Sequence, residues 1–337
     1  MEARHEFFHA PGDGEFWSES HYLDVVGDDV AAHARIGFYP NRDTANVFAY
    51  LLDGLDADAT VYRLRDDAVA LDHVHGLTVD APDLRFEMVP ERVGRDWRVA
   101  FGGRAARCTG AEAVVASAGE PVEVDVELTT RARHEPFRYS RGTDWPGGET
   151  EDRYEVATRV EGAARIGVGD GDPDRTFELN GPGERDHSWG RRDWTDGEWL
   201  WISGAFDDGT AYNHLSAWPA GHGPSEMDPV ITNGFWFDGD ETHAITDATV
   251  GADPVFGAPT GSEWMETGAA PDIDLTLSWA GGSADLTVSP GATTPVDWAG
   301  EGTGHRAVLN RSPSVQTRDG GVAGRGWLEN MTQLEQG

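Results

Sequence analysis

The sequence predicts an all-β fold in which two antiparallel barrels pack together, and three observations predict it. First, short segments alternate apolar and polar residues, as in Ala45–Leu52 (ANVFAYLL), Leu84–Val89 (LRFEMV), Val122–Thr129 (VEVDVELT), Trp199–Phe206 (WLWISGAF) and Ile273–Trp279 (IDLTLSW). Alternation at period two marks a strand with one buried face. Second, each segment is bounded by Gly, Pro, Asp or Asn, and the 43 Gly of the chain supply tight turns between them. Third, no stretch keeps an apolar repeat at helical spacing over several turns. The 13 Trp suit a wide aromatic interior, and closing each sheet removes the edge strands that otherwise invite aggregation.

Two barrels rather than one follow from length. The 337 residues exceed the roughly 100–200 of a common domain. The best boundary lies in Ser140–Glu151 (SRGTDWPGGETE), which is polar, rich in Gly and followed by a fresh strand at Arg153–Val160. Residues 1–145 are therefore expected to form the first barrel and residues 146–337 the second.

Charge sets the environment. Asp and Glu number 60 against 26 basic residues, giving a formal charge of −34, and every basic residue is Arg. Such an excess destabilises a compact chain by self-repulsion unless molar salt shrinks the Debye length to about 3 Å. The acids are dispersed, as in Asp53–Asp58 and Asp66–Asp67, which is a surface style of haloadaptation rather than a binding site. An acidic field argues against nucleic acid and anionic membranes as partners.

A single cysteine, Cys108, excludes an internal disulfide framework and a Cys-based zinc cluster. The chain opens MEARHEFFHAPGDGEFW, without a charged-then-apolar leader, and no apolar run approaches the roughly 20 residues of a membrane helix. It reads as cytoplasmic. His73-Val-His75 presents two imidazoles on one strand face, but no third ligand is evident nearby, and surface histidines are the expectation. Neither a metal nor a cofactor is expected.

The informative segment is Gly181–Trp194 (GPGERDHSWGRRDW). Alternation places Arg185, His187 and Trp189 on one strand face, with Asp186 and Ser188 on the other. On the next two strands Trp199, Trp201 and Ser203 share a face, as do Tyr212, His214, Ser216 and Trp218. Three consecutive antiparallel strands that line one cavity with Arg185, His187, Trp189, Trp201, Tyr212 and His214 describe a pocket for a mostly apolar ligand. The plainer account is a buried polar cluster in which Arg185 and His187 find carboxylate partners.

The run GERDHSWGRRDW (Gly183–Trp194) resembles the signature of the AttH-like and hydroxyneurosporene-synthase-like proteins, a branch of the lipocalin or calycin superfamily. The resemblance extends to PNRDTANVFAY (Pro40–Tyr50) and to a closing Gly-x-Gly-x-x-Glu (Gly324–Glu329), in a sequence of haloarchaeal type. It implies two lipocalin-like barrels that handle lipids or isoprenoids, and in some relatives cofactor-free enzymes such as the carotenoid 1,2-hydratases. Those hydratases use a His-x-Trp pair and a Tyr-x-Asp pair. His187-Ser-Trp189 matches the first, whereas Tyr212-Asn-His214 places His where the second has Asp. An imidazolium with a pKa near 6.5 is a weak acid for protonating an isolated alkene.

Three functions remain open on these residues. One is binding or carriage of a hydrophobic small molecule. Another is a hydratase, isomerase or cyclase, with His187, Tyr212 and His214 as candidate catalytic residues. The third is a structural polar cluster. An inward-turning Asp186, Asp193 or Glu329 favours catalysis, and a second barrel filled by its own Trp favours the structural reading. A buried pair between Arg185 and Glu329 is also expected, because the final strand (Gly324–Asn330) must close the second barrel beside the motif. Haloadaptation carries the first prediction: the melting temperature should fall as KCl is diluted from about 3 M to 0.1 M, where carboxylates repel over about 10 Å. A flat melting temperature across that range refutes it.

Overall fold

The computed structural model describes residues 3–139, 144–145, 148–167, 173–191, 197–223, 226–251, 271–299 and 306–334. The chain begins with a four-strand meander, β1 (Trp17–Val26), β2 (Val30–Tyr39), β3 (Thr44–Asp53) and β4 (Thr60–Ala70). Short hairpins, β5 (Val74–His75), β6 (Thr78–Ala81) and β7 (Leu84–Arg92), lead to β8 (Asp96–Thr109). A helix, α1 (Ala111–Ala116), precedes β9 (Glu120–Ala132), β10 (Phe137–Arg138), β11 (Asp144–Trp145), β12 (Gly148–Ile166), β13 (Arg175–Glu178) and β14 (Gly181–Arg191). The pairing β1-β2-β3-β4-β8-β9-β12-β14 returns to β1, so these strands close a ring.

The second sheet contains β15 (Gly197–Phe206), β16 (Ala211–Pro219), β17 (Ile231–Phe237), β18 (Thr242–Val250), β19 (Ile273–Trp279), β20 (Gly282–Pro290), β21 (Val296–Ala299), β22 (Arg306–Arg318) and β23 (Val322–Leu334). It closes as an antiparallel barrel, because β20 also pairs with β22 and β15 with β23. The expected fold class, two lipocalin-like antiparallel barrels, is the one observed. Among the described residues no helix is long and apolar enough to cross a membrane.

The expected boundary is corrected by the pairing. Strands β12 and β14 lie beyond residue 145, yet both belong to the first ring, so the segment Arg185–Trp189 sits in the first barrel and not the second. A break at residue 145 leaves β1 and β9 as open edges, and β12 and β14 fill that gap. The chain passes from one barrel to the other between Arg191 and Gly197.

Burial patterns show how the barrels meet. Strands β9 and β20 alternate buried and exposed residues, as a barrel wall facing water should. By contrast, β1 and β15 are buried at every position, and β14 is buried from Glu184 to Gly190. One face of these strands lines a barrel interior and the other meets the neighbouring barrel. Tyr22, Phe48, Tyr50 and Leu52 of the first barrel pack against Trp199, Trp201, Leu215, Trp327 and Met331 of the second. The second barrel's interior is filled by its own Leu200, Ile202, Trp218, Trp236, Leu275 and Leu328, with Trp279 packed against them.

Closure of the second barrel needs close backbone approach. Gly204 and Gly326 are directly paired on β15 and β23. A Cβ on Gly326 would lie 1.9 Å from the Ser203 carbonyl oxygen and 2.6 Å from Gly204 Cα, neither of which can swing away. Gly326→Ala is therefore expected to lower stability by at least the about 1–3 kcal/mol typical of overpacking. A denaturant midpoint equal to wild type contradicts this reading.

Candidate functional site

The expected single pocket resolves into three separate environments. Alternation on β14 turns Arg185, His187 and Trp189 into the first barrel, beside Trp17, Trp97 and Tyr154. Trp201 faces Leu215 across the β15–β16 pair and belongs to the layer between the barrels. Ile202 faces His214, so His214 and Tyr212 point into the second barrel. The alternation read from the sequence holds on each strand. The grouping into one cavity does not, because β14 and β15 belong to different rings and Trp201 and His214 lie on opposite faces of one wall.

Inside the first barrel each charge of the motif has a partner. The amino-terminal 3-10 turn, Ala3–Glu6, delivers Glu6 to a fully buried position. There Glu6 accepts hydrogen bonds from the Gly94 N–H at 2.8 Å, Arg185 Nη1 at 3.1 Å and the Tyr154 hydroxyl at 3.3 Å. The Arg185 guanidinium also lies 4.3 Å from the Trp97 ring centroid, where its weakly hydrated plane suits an aromatic face. Glu19 Oε1 lies 2.7 Å from both His187 Nε2 and His9 Nδ1, and Oε2 accepts the His9 N–H at 2.8 Å. Burial pushes the Glu19 pKa up, but these hydrogen bonds outweigh it and hold the carboxyl below its usual value.

The expected Arg185–Glu329 pair is corrected. Glu329 accepts from Arg311 Nε at 2.6 Å and from Trp199 Nε1 at 2.8 Å, whereas Arg185 pairs with Glu6. Arg185 points inward from β14 and Glu329 lies in the layer between the barrels. The wall of the first barrel separates them.

That layer contains the least ordinary chemistry of the molecule. Asp24, Glu155, Glu184 and Asp186, all buried, project from the outer face of the first barrel. Arg153 holds Glu155 through Nε at 2.6 Å and Asp186 through Nη2 at 2.7 Å. Trp201 Nε1 donates to Glu155 at 3.3 Å, and the Glu184 backbone N–H donates to Asp24 at 2.8 Å. The Tyr139 hydroxyl donates to Asn213 across the seam. Arg311 spreads over Tyr22 at 4.4 Å and Phe48 at 4.9 Å.

Burial raises the pKa of Asp24, Glu155 and Glu184 well above the carboxylate range. For Glu184 the neighbouring Glu155, Asp24 and Asp186 add to burial, and Arg153 opposes them too weakly to reverse the shift. Among the described residues the Glu184 side chain enters no ion pair, and its Oε1 has no hydrogen-bond partner. Burial and the neighbouring acids therefore favour the protonated form of this carboxyl, the form that has a proton to give. His214, in contrast, is buried inside the second barrel with its pKa pushed down to about 3, and it is neutral there. Asp193 lies outside the described residues.

Sequence reasoning placed Asp186 opposite Arg185 but left out Glu6, Glu19, Asp24, Arg153, Glu155 and Glu184. One signal was present, since Glu184 shares a face with Asp186 by simple alternation. That this outer face is buried is a tertiary fact.

The double antiparallel barrel is shared with solved structures. A protein assigned as AttH from Nitrosomonas europaea superposes with a TM-score of 0.60 at 16% identity, covering 95% of this chain and 94% of that one. CghA superposes at 0.54 with 12% identity, over 96% and 90% of the two chains, and CghA with Sch210972 at 0.52 with 10% identity over the same shares. This chain belongs to the family described as a domain of unknown function, DUF7064, matched over residues 2–334. No curated protein matches the sequence.

The inner pair carries a prediction. Glu6→Gln leaves Arg185 as a buried cation without its countercharge, which typically costs about 3–5 kcal/mol. Denaturant unfolding followed by tryptophan fluorescence should register that loss. A Glu6→Gln protein as stable as wild type shows that the terminal segment does not neutralise the barrel.

Proposed function

We propose that this protein is a cofactor-free enzyme of hydratase, isomerase or cyclase type, which protonates a hydrophobic small molecule of lipid or isoprenoid class at the seam between the barrels. The observation that carries the reading is Glu184, a carboxyl 1% exposed whose Oε1 has no hydrogen-bond partner among the described residues and whose pKa is raised by burial and by Glu155, Asp24 and Asp186. An acid of this kind supplies what the Tyr212-x-His214 pair lacks, since His214 is neutral. The order of events follows from the side chains. Glu184 gives its proton to an alkene or enol carbon, and the carbon skeleton becomes cationic. The π faces of Trp199 and Trp201 and the carboxylate held by Arg153 favour that positive charge. Water or an internal nucleophile then attacks, or a neighbouring proton is lost, and the Glu184 carboxylate recovers a proton.

The apolar walls support a hydrophobic substrate, because Tyr22, Phe48, Leu215 and Met331 surround these polar groups. CghA, which shares the fold, has been crystallised with the small molecule Sch210972. Because Glu184 is 1% exposed, substrate enters only when the seam opens. In this reading Trp201 is a ligand contact at the seam. Carriage of a lipid without reaction is the second reading. It finds less support in the second barrel, whose interior Trp218 and Trp236 occupy.

The test is turnover of polyene and terpenoid substrates in D2O, read as deuterium incorporation or product formation. Glu184→Gln, which keeps shape and removes the acid, should lower turnover by about 10²–10⁴-fold while binding persists. Wild-type turnover in a folded Glu184→Gln protein rules out Glu184 as the acid. Binding without reaction in the wild type favours carriage.

The pH dependence has a definite sign. The folded pKa of Glu184 lies above the unfolded value of about 4.3, so between the two the native state holds more protons. Stability is then fully present below about pH 4.3 and declines as pH rises through the raised value. Glu184→Gln should flatten part of that decline. An unchanged slope in the variant indicates that Glu184 is ionised in the native protein.

A further inference from the structure

We propose that His9, Glu19 and His187 form a binding site for one divalent transition-metal ion on the inner face of the first barrel. Two imidazoles and a carboxylate are the donor set of many zinc and non-haem iron sites. Here one ligand atom from each residue lies within 4.8 Å of the other two. The site sits on the opposite side of the β1–β14 wall from Glu184, so it stands or falls independently of the proposed reaction.

His187 has one hydrogen too few for its neighbours. His187 Nδ1 lies 2.9 Å from the His5 carbonyl oxygen, and Nε2 lies 2.7 Å from Glu19 Oε1. Both neighbours are acceptors, but a neutral imidazole carries a single N–H. If Nδ1 donates to the carbonyl, the Nε2 lone pair faces a carboxylate lone pair at hydrogen-bond distance. A cation between them removes that conflict. With metal–ligand bonds of about 2.1 Å, the edges of a tetrahedron are about 3.4 Å, so the ligand atoms need to open by less than about 1 Å.

Contacts behind the three residues orient them. Metal-binding histidines usually donate their other ring N–H to a carbonyl or carboxylate, which fixes the tautomer. The His187 Nδ1 contact to the His5 carbonyl has that form. His9 presents Nδ1 to Glu19 while its Nε2 lies 3.2 Å from His5 Nδ1. The free oxygen of Glu19 is anchored by the His9 backbone N–H at 2.8 Å. Each ligand is thus aimed by an outer contact, and Trp189 stacks on the His9 ring with centroids 4.0 Å apart.

Access and spare polar capacity agree with this. The His9 side chain is 18% exposed, which gives the ion a path in. His21 is fully buried and stacked on His187 at 3.6 Å, and neither of its ring nitrogens has a hydrogen-bond partner among the described residues. Three protein ligands also leave a position for water or another small ligand. His73 and His75, singled out from the sequence as a metal pair and set aside there, do not join this cluster. His73 hydrogen bonds the Asp80 carbonyl at 2.9 Å on the surface.

The experiment uses the full chain in molar KCl, stripped with a chelator and titrated with Co²⁺ and then Zn²⁺. One equivalent of Co²⁺ should bind with visible d–d absorption, and Zn²⁺ should displace it and raise the melting temperature. His9→Ala, in the partly exposed terminal segment, should retain the fold and weaken binding by more than the about 10–100-fold typical of losing an outer-shell partner. Glu19→Gln should do the same, and His73→Ala should change nothing. The proposal is overturned by the lack of a saturable one-equivalent site, which leaves His187 and Glu19 as a proton-bridged pair. It is equally overturned by wild-type affinity in folded His9→Ala.

Discussion

The structure depends on one wall that serves two cores. Strands β1 and β14 turn one face into the first barrel and the other toward the second, so neither face is solvated. Polar groups on them can be satisfied only from inside the protein, and a buried polar atom left alone costs more than a hydrogen bond returns. The inner face is served by the amino-terminal segment, which brings Glu6 to Arg185, and by Glu19 on the adjacent strand. The outer face is served by Arg153 on β12 and by Arg311 on β22. The amino terminus, the hairpin ends and the second barrel are positioned by what this wall requires.

The two faces are satisfied in different currencies. Inside the first barrel Arg185 is paired with Glu6, and the imidazoles of His9 and His187 lie against Glu19. In the seam, several buried carboxyls lie near Arg153, and burial shifts Asp24, Glu155 and Glu184 toward their protonated forms. A matched ion pair is chemically quiet. Carboxyls whose pKa is raised by burial in an apolar layer are candidates for acid–base work, which is why the proposed proton transfer is assigned to the seam and not to the barrel interior.

A chain without lysine places special weight on arginine. The partly buried Arg153 and the buried Arg185 and Arg311 each meet carboxylates, and each also lies over an aromatic ring: Tyr139, Trp97 and Tyr22 respectively. A guanidinium tolerates this because it is planar, weakly hydrated and permanently charged, whereas an ammonium is compact and strongly hydrated. The acidic excess, so conspicuous in composition, is largely a matter of the outer surface. The carboxyls of the seam are among the few that are buried.

The sequence by itself determined the fold class, the closed sheets and the face on which each strand residue falls. Arg185, His187 and Trp189 do share a face, and Asp186 does oppose them, because period-two geometry is local and needs nothing beyond the chain. Only the tertiary structure decided which ring each strand joins. That assigned β14 to the first barrel, separated Arg185 from Glu329, and divided His187, Trp201 and His214 among three environments. It also decided that Glu184 and Asp186 are buried, since an outer barrel face looks the same in sequence whether it meets water or another barrel. Ring membership and burial rest on hydrogen bonds and contacts between residues more than a hundred positions apart, such as Glu6 with Arg185, and no local pattern records such a pairing.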